Sequence, residues 1–139
     1  MTSQIVYKGN LRTEATHLQS NTIIETDAPV DNNGKGERFS PTDIVVTSLG
    51  SCMLTIMGMK AADMNIDLTG TILDIQKTMA TSPRRISGAH IRFQFPENLQ
   101  LSEKEQTILE NAAHTCPVAK SLHPDVEVKV NFEWKEIAS

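Results

Sequence analysis

Residues 40–59 read SPTDIVVTSLGSCMLTIMGM, and this stretch decides the fold of the chain. Ser40 is a typical helix N-cap, Pro41 suits the first helical position, and Asp43 stands where a capping box places its acid. Residues 44–59 then carry no charge, and nearly every position is apolar or small. A surface helix would have a polar face, so we expect a helix that is buried on most sides. Its charge-free run is shorter than the ~20 residues of a membrane span.

Strands are predicted on both sides of this helix, because apolar and polar residues alternate there. Ser20-Asn21 is the predicted turn between the second and third strands. The predicted elements are strands at 3–8, 12–19 and 22–26, the helix, strands at 68–80 and 84–95, a helix over 102–115, a short helical turn at 118–122, and a strand at 126–134. The order β-β-β-α-β-β-α-β predicts an α+β fold, and the length of 139 residues predicts a single domain, 1–139.

Composition argues against several classes of partner. The formal net charge is -4, no basic run occurs, and aromatic residues make up only 4% of the chain. Nucleic acid and anionic membrane surfaces are therefore not expected as main partners. The N-terminal MTSQIVYKGN lacks the apolar core of a signal peptide, so we expect a cytoplasmic protein with reduced cysteines.

The two cysteines, Cys52 and Cys116, carry the candidate chemistry. From the residues alone they are inert buried thiols, a metal pair or a redox pair. Neither CxxC nor HExxH occurs, and His114 and His123 do not complete a known zinc spacing, so no metal is expected. The cysteines lie far apart in the sequence, which leaves open whether they meet in the fold.

Local surroundings favour different chemistry at the two thiols. Cys52 lies in the middle of the apolar helix, where burial disfavours the thiolate. Cys116 precedes Pro117 at the start of the short helical turn, where free backbone amides favour the thiolate. Gly50 and Gly58 in the apolar helix indicate close packing against another backbone.

Three short motifs carry a resemblance to a known family. SPTD at 40–43, LGSC at 49–52 and CPVAK at 116–120 resemble the OsmC/Ohr family of osmotically inducible and organic hydroperoxide resistance proteins. The likeness extends over nearly the whole chain, including the order of the elements. It implies an OsmC-like α+β fold in which antiparallel sheets wrap around central cysteine-bearing helices, and an intertwined homodimer.

The resemblance also implies an activity, the thiol-dependent reduction of organic hydroperoxides in defence against oxidative stress. Cys52 matches the cysteine that attacks the peroxide, and Cys116 matches the cysteine that resolves the sulfenic acid as a disulfide. A dithiol or a small thiol would restore the pair, and neither metal nor other cofactor is needed. The alternative is a non-enzymatic OsmC-like module that binds a small hydrophobic ligand at the dimer interface or senses redox state.

Members of this family hold the reactive thiolate with an arginine and a carboxylate. Asp43 matches the carboxylate, although a first-turn acid that only completes a helix cap would look the same. Arg12, on the second predicted strand, and Arg38, in the loop before the helix, are the candidates for the arginine. Each is also a typical solvated surface residue.

Overall fold

The first sheet is a three-stranded antiparallel meander near the N-terminus. Its strands are β1 (Ser3–Gly9), β2 (Arg12–His17) and β3 (Ile23–Asp27). The computed structural model describes residues 1–135, and its contacts divide the chain into two compact units, Met1–Val45 and the remainder from Val46 onward. The predicted single domain is not tested by this division.

The register between β2 and β3 differs from the predicted hairpin. Residues 18–22 form a five-residue loop, in which the Asn21 backbone adopts a left-handed φ of 62°. The two-residue turn at Ser20-Asn21 was therefore wrong, because the strands separate two residues earlier, after His17. The observed register pairs Arg12 with Asp27 across the two strands.

The second unit contains a second sheet and most of the helical residues. The elements from α1 onward are α1 (Pro41–Asp63), β4 (Ile72–Ala80), β5 (Arg85–Gln94), α2 (Glu103–Ala113), α3 (Pro117–Ser121) and β6 (Glu127–Glu133). The first turn of α1 belongs to the first unit. The predicted α+β order is confirmed, and the short helical turn after Cys116 is the separate helix α3.

The second sheet is mixed rather than antiparallel. β4 pairs antiparallel with β5, whereas β6 pairs parallel with β5. The expectation of purely antiparallel sheets was wrong for this pair, because α2 and α3 form a crossover connection. Such a crossover returns the chain in the same direction and generates a parallel pair.

The core of the second unit is built by one face of α1 against β5 and α2. Leu49, Met53 and Met57 of α1 are completely or almost completely buried, as are Ile91 of β5 and Leu109 of α2. This core accounts for the burial of only one side of α1. Met59, on the other side, is 61% exposed.

Helix α1 was expected to be buried on most sides, but residues 1–135 of one chain bury only one side of it. A third of its most apolar 18-residue window is buried, and by length and composition the helix could cross a membrane (mean hydropathy 1.5). Core helices of soluble proteins pass the same test. The helix is longer than its charge-free run, since Asp43, Lys60 and Asp63 lie in its terminal turns.

Candidate active site

Cys52 lies on α1 at the edge of the buried face. Leu49 and Met53 on either side are essentially inaccessible, whereas Cys52 is half-buried and packs against the core with part of its surface open. Helical geometry explains this position, because a residue between two core positions lies at the margin of the buried stripe. Cys52 is therefore more exposed than Cys116, which is completely buried.

Gly50 and Gly58 differ, although both lie on α1. A Cβ atom at Gly50 would lie 2.5 Å from Cδ1 of Ile75 and 3.4 Å from Cδ2 of Leu73, so the glycine lets β4 side chains approach the helix. A Cβ atom at Gly58 would meet nothing within 4 Å. The expectation that both glycines pack against another backbone was wrong: one packs against side chains and the other opens onto space.

Cys116 is completely buried and forms the N-cap of α3. The backbone N–H of Ala119 donates to its sulfur at 3.4 Å, with Pro117 at the first helical position as the sequence predicts. The thiol in turn lies 3.9 Å from the carbonyl oxygen of Leu49, on α1. Cys116 thus bridges the start of α3 and the helix that carries Cys52.

The two thiols lie close enough to interact directly. Burial raises the pKa of the Cys116 thiol above its ordinary value, and the neighbouring Cys52 raises it further. The Ala119 N–H opposes this shift but does not cancel it. The backbone amides at the start of α3 do favour the thiolate of Cys116, as the sequence predicts, but desolvation outweighs them and the net pKa is raised. The raised pKa favours the protonated form of Cys116, and Cys52 is the less buried of the two thiols.

The first unit contains a buried ion pair between its paired strands. The Nε and Nη2 atoms of Arg12 donate to the two carboxylate oxygens of Asp27 at 2.8 Å each. The backbone N–H of Glu37 donates to the same carboxylate at 3.2 Å. Asp27 is 1% exposed, and these donors hold its pKa below the usual range, with the Arg12 hydrogen bond contributing most.

Arg38 and Asp43 have other local partners within the first unit. Arg38 is exposed and lies 3.5 Å from a carboxylate oxygen of Glu25. Asp43 completes a capping box: its carboxylate accepts from the Ser40 N–H at 3.0 Å, and its own N–H donates to the Ser40 hydroxyl at 3.1 Å. The predicted cap at the start of α1 is therefore present.

Comparison with known proteins defines the family of this chain. The OsmC-like protein family matches residues 34–131, which include both cysteines and all of α1.

The chain belongs to the OsmC-like family.

A solved structure from Psychrobacter arcticus 273-4, described as a candidate osmotic stress induced and detoxification response protein, is 58% identical, with 96% of each chain covered and a TM-score of 0.92. Two further structures are similar in fold. An organic hydroperoxide resistance protein OsmC, predicted redox protein and regulator of sulfide bond formation from Legionella pneumophila is 16% identical (TM-score 0.74; 96% and 98% covered). Organic hydroperoxide resistance protein OhrB of Bacillus subtilis is 18% identical (TM-score 0.66; 96% and 98% covered). No curated protein matches the chain.

The predicted site residues of this OsmC-like protein fall into two sets. Cys52 and Cys116 come together in the second unit, whereas Arg12, Arg38 and Asp43 belong to the first. Their joint role in one site stays a prediction. The partner of Arg12 is Asp27, which the sequence analysis did not single out. A correct β2–β3 register would have found it, because that register places the two residues opposite each other.

Metal ligation has no support among residues 1–135. No group of three or more histidine, cysteine, aspartate or glutamate side chains in this range could hold a metal ion. The chemistry available to this OsmC-like site is that of its paired thiols, one accessible and one buried.

Proposed function

We propose that this OsmC-like chain is a dithiol peroxidase that reduces organic hydroperoxides. The observation that carries the proposal is the pairing of an accessible thiol, Cys52, with a buried and protonated thiol, Cys116. In such an asymmetric pair, the accessible thiol acts as the nucleophile and the buried thiol resolves the oxidised product. Family membership supports the same activity, because solved proteins of this fold are named for hydroperoxide resistance.

The reaction proceeds in two balanced steps. The thiolate of Cys52 attacks the outer oxygen of R–O–OH, the O–O bond breaks, and the alcohol leaves with a proton while Cys52 becomes a sulfenic acid. The thiol of Cys116 then attacks that sulfur, expels water, and forms a Cys52–Cys116 disulfide. A dithiol or a small thiol reduces the disulfide by exchange and is itself oxidised.

A homodimer is part of the proposal. Residues 1–45 contain no buried apolar side chain, although Ile5, Tyr7 and Ile24 share one face of the first sheet and are each more than half exposed. A three-stranded sheet needs a covered hydrophobic face for stability. The exposed apolar side of α1 also lacks a covering surface within the second unit. The family suggests that a second copy of the chain covers both surfaces.

A positive charge near the Cys52 thiolate is also proposed, with Arg12 and Arg38 as candidates and Asp43 as the carboxylate. Arg12 is held rigidly by its two hydrogen bonds to Asp27, which suits a positioning role better than the exposed side chain of Arg38. We place the reaction in the cytoplasm, without metal or cofactor.

The primary test is a count of free thiols before and after one equivalent of cumene hydroperoxide, with mass spectrometry of the product. The proposal expects both thiols to be lost in one reducible Cys52–Cys116 disulfide. If neither thiol reacts, the chain is the non-enzymatic binding module instead.

Two single substitutions separate the roles of the cysteines. Cys52→Ser abolishes consumption of cumene hydroperoxide, whereas Cys116→Ser permits one turnover and leaves Cys52 as a sulfinic acid under excess peroxide. Ser51→Ala, at an exposed position next to Cys52, is the matched control and keeps the parental rate. Parental activity in the Cys52→Ser protein would refute the mechanism.

A further inference from the structure

Two contacts attach the C-terminal end of α2 to the end of β6. The indole N–H of Trp134 donates to Oε1 of Glu110 at 3.0 Å. The rings of His114 and Phe132 meet edge to face, with 5.9 Å between their centroids. The helix residues are one turn apart and the strand residues are two positions apart, so each pair lies on one side of its element. We refer to these four residues, which share the second unit with both cysteines, as the C-terminal clasp.

The strand side of the clasp is fixed in the core. Trp134 stacks on Phe95, with 3.7 Å between the ring centroids and an angle of 1° between the planes. Phe132 packs against Phe93 with 4.8 Å between the centroids. Phe93 and Phe95 are at most 2% exposed. Because close-packed core side chains have few alternative positions, the clasp holds α2 against a rigid surface.

The helix side of the clasp continues directly to Cys116. The N–H of His114 donates to the carbonyl oxygen of Glu110 at 3.3 Å. The N–H and the hydroxyl of Thr115 both donate to the carbonyl oxygen of Ala112, at 3.0 and 2.7 Å. Both residues between α2 and Cys116 are thus hydrogen-bonded to the last turn of the helix. A displacement of this turn is therefore transmitted to Cys116.

The resolving step depends closely on the position of Cys116. Its sulfur must attack the Cys52 sulfenic acid on the side opposite the leaving oxygen. The two thiols already interact in this structure, and the Cys116 sulfur lies 3.9 Å from the carbonyl oxygen of Leu49, three residues before Cys52 on α1. A shift of about 1 Å can lower the rate of a reaction between two positioned groups by about a hundredfold. Whatever holds the end of α2 in place therefore affects this step.

We propose that the C-terminal clasp positions Cys116 for the resolving step, with Glu110 and Trp134 as its positioning residues. The inference rests on the proposed peroxidase function and adds to it a structural protection of Cys52 against over-oxidation. A sulfenic acid that is not resolved reacts with a second hydroperoxide: the O–O bond breaks, the alcohol leaves, and the sulfur gains one oxygen as a sulfinic acid. Loss of the clasp should slow the resolving step and leave the first attack by Cys52 unchanged, so more protein ends as sulfinic acid.

The test measures how the sulfenic acid divides between the two products. The full-length reduced protein is treated with increasing concentrations of cumene hydroperoxide without a reductant. Mass spectrometry then quantifies the Cys52–Cys116 disulfide and the Cys52 sulfinic acid. The peroxide concentration that yields equal amounts of the two products reports the rate of resolution relative to over-oxidation. The initial rate of thiol loss at low peroxide is measured separately and reports the first attack.

Two variants remove the hydrogen bond of the clasp from opposite sides. Trp134→Phe keeps an aromatic ring over Phe95 but has no N–H donor, and Glu110→Ala removes the acceptor. Each should lower the equal-product concentration by up to about tenfold, the change in rate that corresponds to one hydrogen bond. Glu110→Gln keeps an acceptor oxygen and should retain the parental value. Thr107→Ala, at an exposed position one turn earlier on α2, is the matched control and should also retain it.

The outcomes separate this inference from the function on which it rests. If the parent protein consumes no hydroperoxide, the peroxidase function fails and the inference fails with it. If the parent is active and both clasp variants keep its equal-product concentration, the inference alone is wrong. It is also wrong if the variants slow the first attack and the resolving step by the same factor, because the clasp would then support only the fold. If Trp134→Phe does not fold, Glu110→Ala decides the question.

Discussion

Asp27 and Cys116 are both buried, yet their surroundings have opposite effects on their charge. The charged form is favoured at Asp27 and the neutral form at Cys116. Asp27, in the first unit, is 1% exposed and its pKa lies below the usual range. Cys116, in the second unit, is fully buried and its pKa is raised. Asp27 has Arg12 and a backbone N–H as donors, whereas Cys116 has the backbone amides of Ala119 and Val118 and a neighbouring thiol. Burial alone therefore does not set the charge, because the partners of each group decide it.

This contrast bears directly on the proposed chemistry. A buried carboxylate with a bidentate arginine is a fixed negative charge, which suits a role in holding that arginine in place. A buried thiol without a cation keeps its proton, which suits a resolving residue that reacts only after its neighbour has been oxidised. The reactive role then falls to Cys52, the more accessible of the two thiols.

The largest effect is expected from removing the partner of Asp27. Arg12→Leu leaves the Asp27 carboxylate at a buried position without its cation and should lower the free energy of unfolding clearly more than the loss of an exposed ion pair does. Arg38→Leu is the control, because Arg38 is exposed and its ion pair with Glu25 should contribute less than about 1 kcal/mol. Urea denaturation at one fixed protein concentration measures both. If both variants lost the same free energy of unfolding, the Arg12–Asp27 pair would contribute no more to stability than the exposed Arg38–Glu25 pair.

The pattern around α1 predicted much of the fold. The cap at Ser40, the apolar run to Met59 and the alternation on both sides are local signals, and local signals fix which elements form. They do not fix pairing between distant strands. The parallel β5–β6 pair and the Arg12–Asp27 pair both depend on register, which the alternation of a single strand does not encode.

The candidate site was also predicted only in part, because local signals do not determine which distant residues pack together. The resemblance selected both cysteines, and the fold brings them together. The local environment of each was wrongly predicted, because exposure depends on what packs against a residue rather than on its own helix. Cys52 was expected to be the buried thiol, but it lies at the edge of the core. Cys116 is the buried thiol, and its sulfur lies 3.9 Å from the carbonyl oxygen of Leu49.

The second prediction concerns the rates at which the two thiols are alkylated. In the parent protein, iodoacetamide should label Cys52 faster than Cys116, because Cys116 is completely buried and its raised pKa lowers the fraction present as thiolate. In Cys52→Ser, the labelling rate of Cys116 should rise with pH and stay below that of an ordinary thiol at neutral pH. The sign follows from the raised pKa: the thiolate appears only at higher pH. Mass spectrometry of timed samples provides the rates, and faster labelling of Cys116 would reverse the proposed roles.

The smallest effect tests whether tight packing of α1 keeps Cys116 buried. Gly50→Ala places a methyl group 2.5 Å from Cδ1 of Ile75, so a side chain must move, at a cost of about 1–2 kcal/mol. If Ile75 does not move far enough, α1 is displaced as well, and because the peptide next to Gly50 supplies the Leu49 carbonyl near the Cys116 sulfur, this displacement should speed the alkylation of Cys116. Gly58→Ala is the matched control on the same helix: its methyl group meets nothing within 4 Å, and alanine should stabilise the helix by about 0.5–1 kcal/mol. Gly50→Ala could destabilise the protein while both alanine variants leave the alkylation rate of Cys116 unchanged. In that case α3 and its N-cap, rather than the contact with α1, keep Cys116 unreactive.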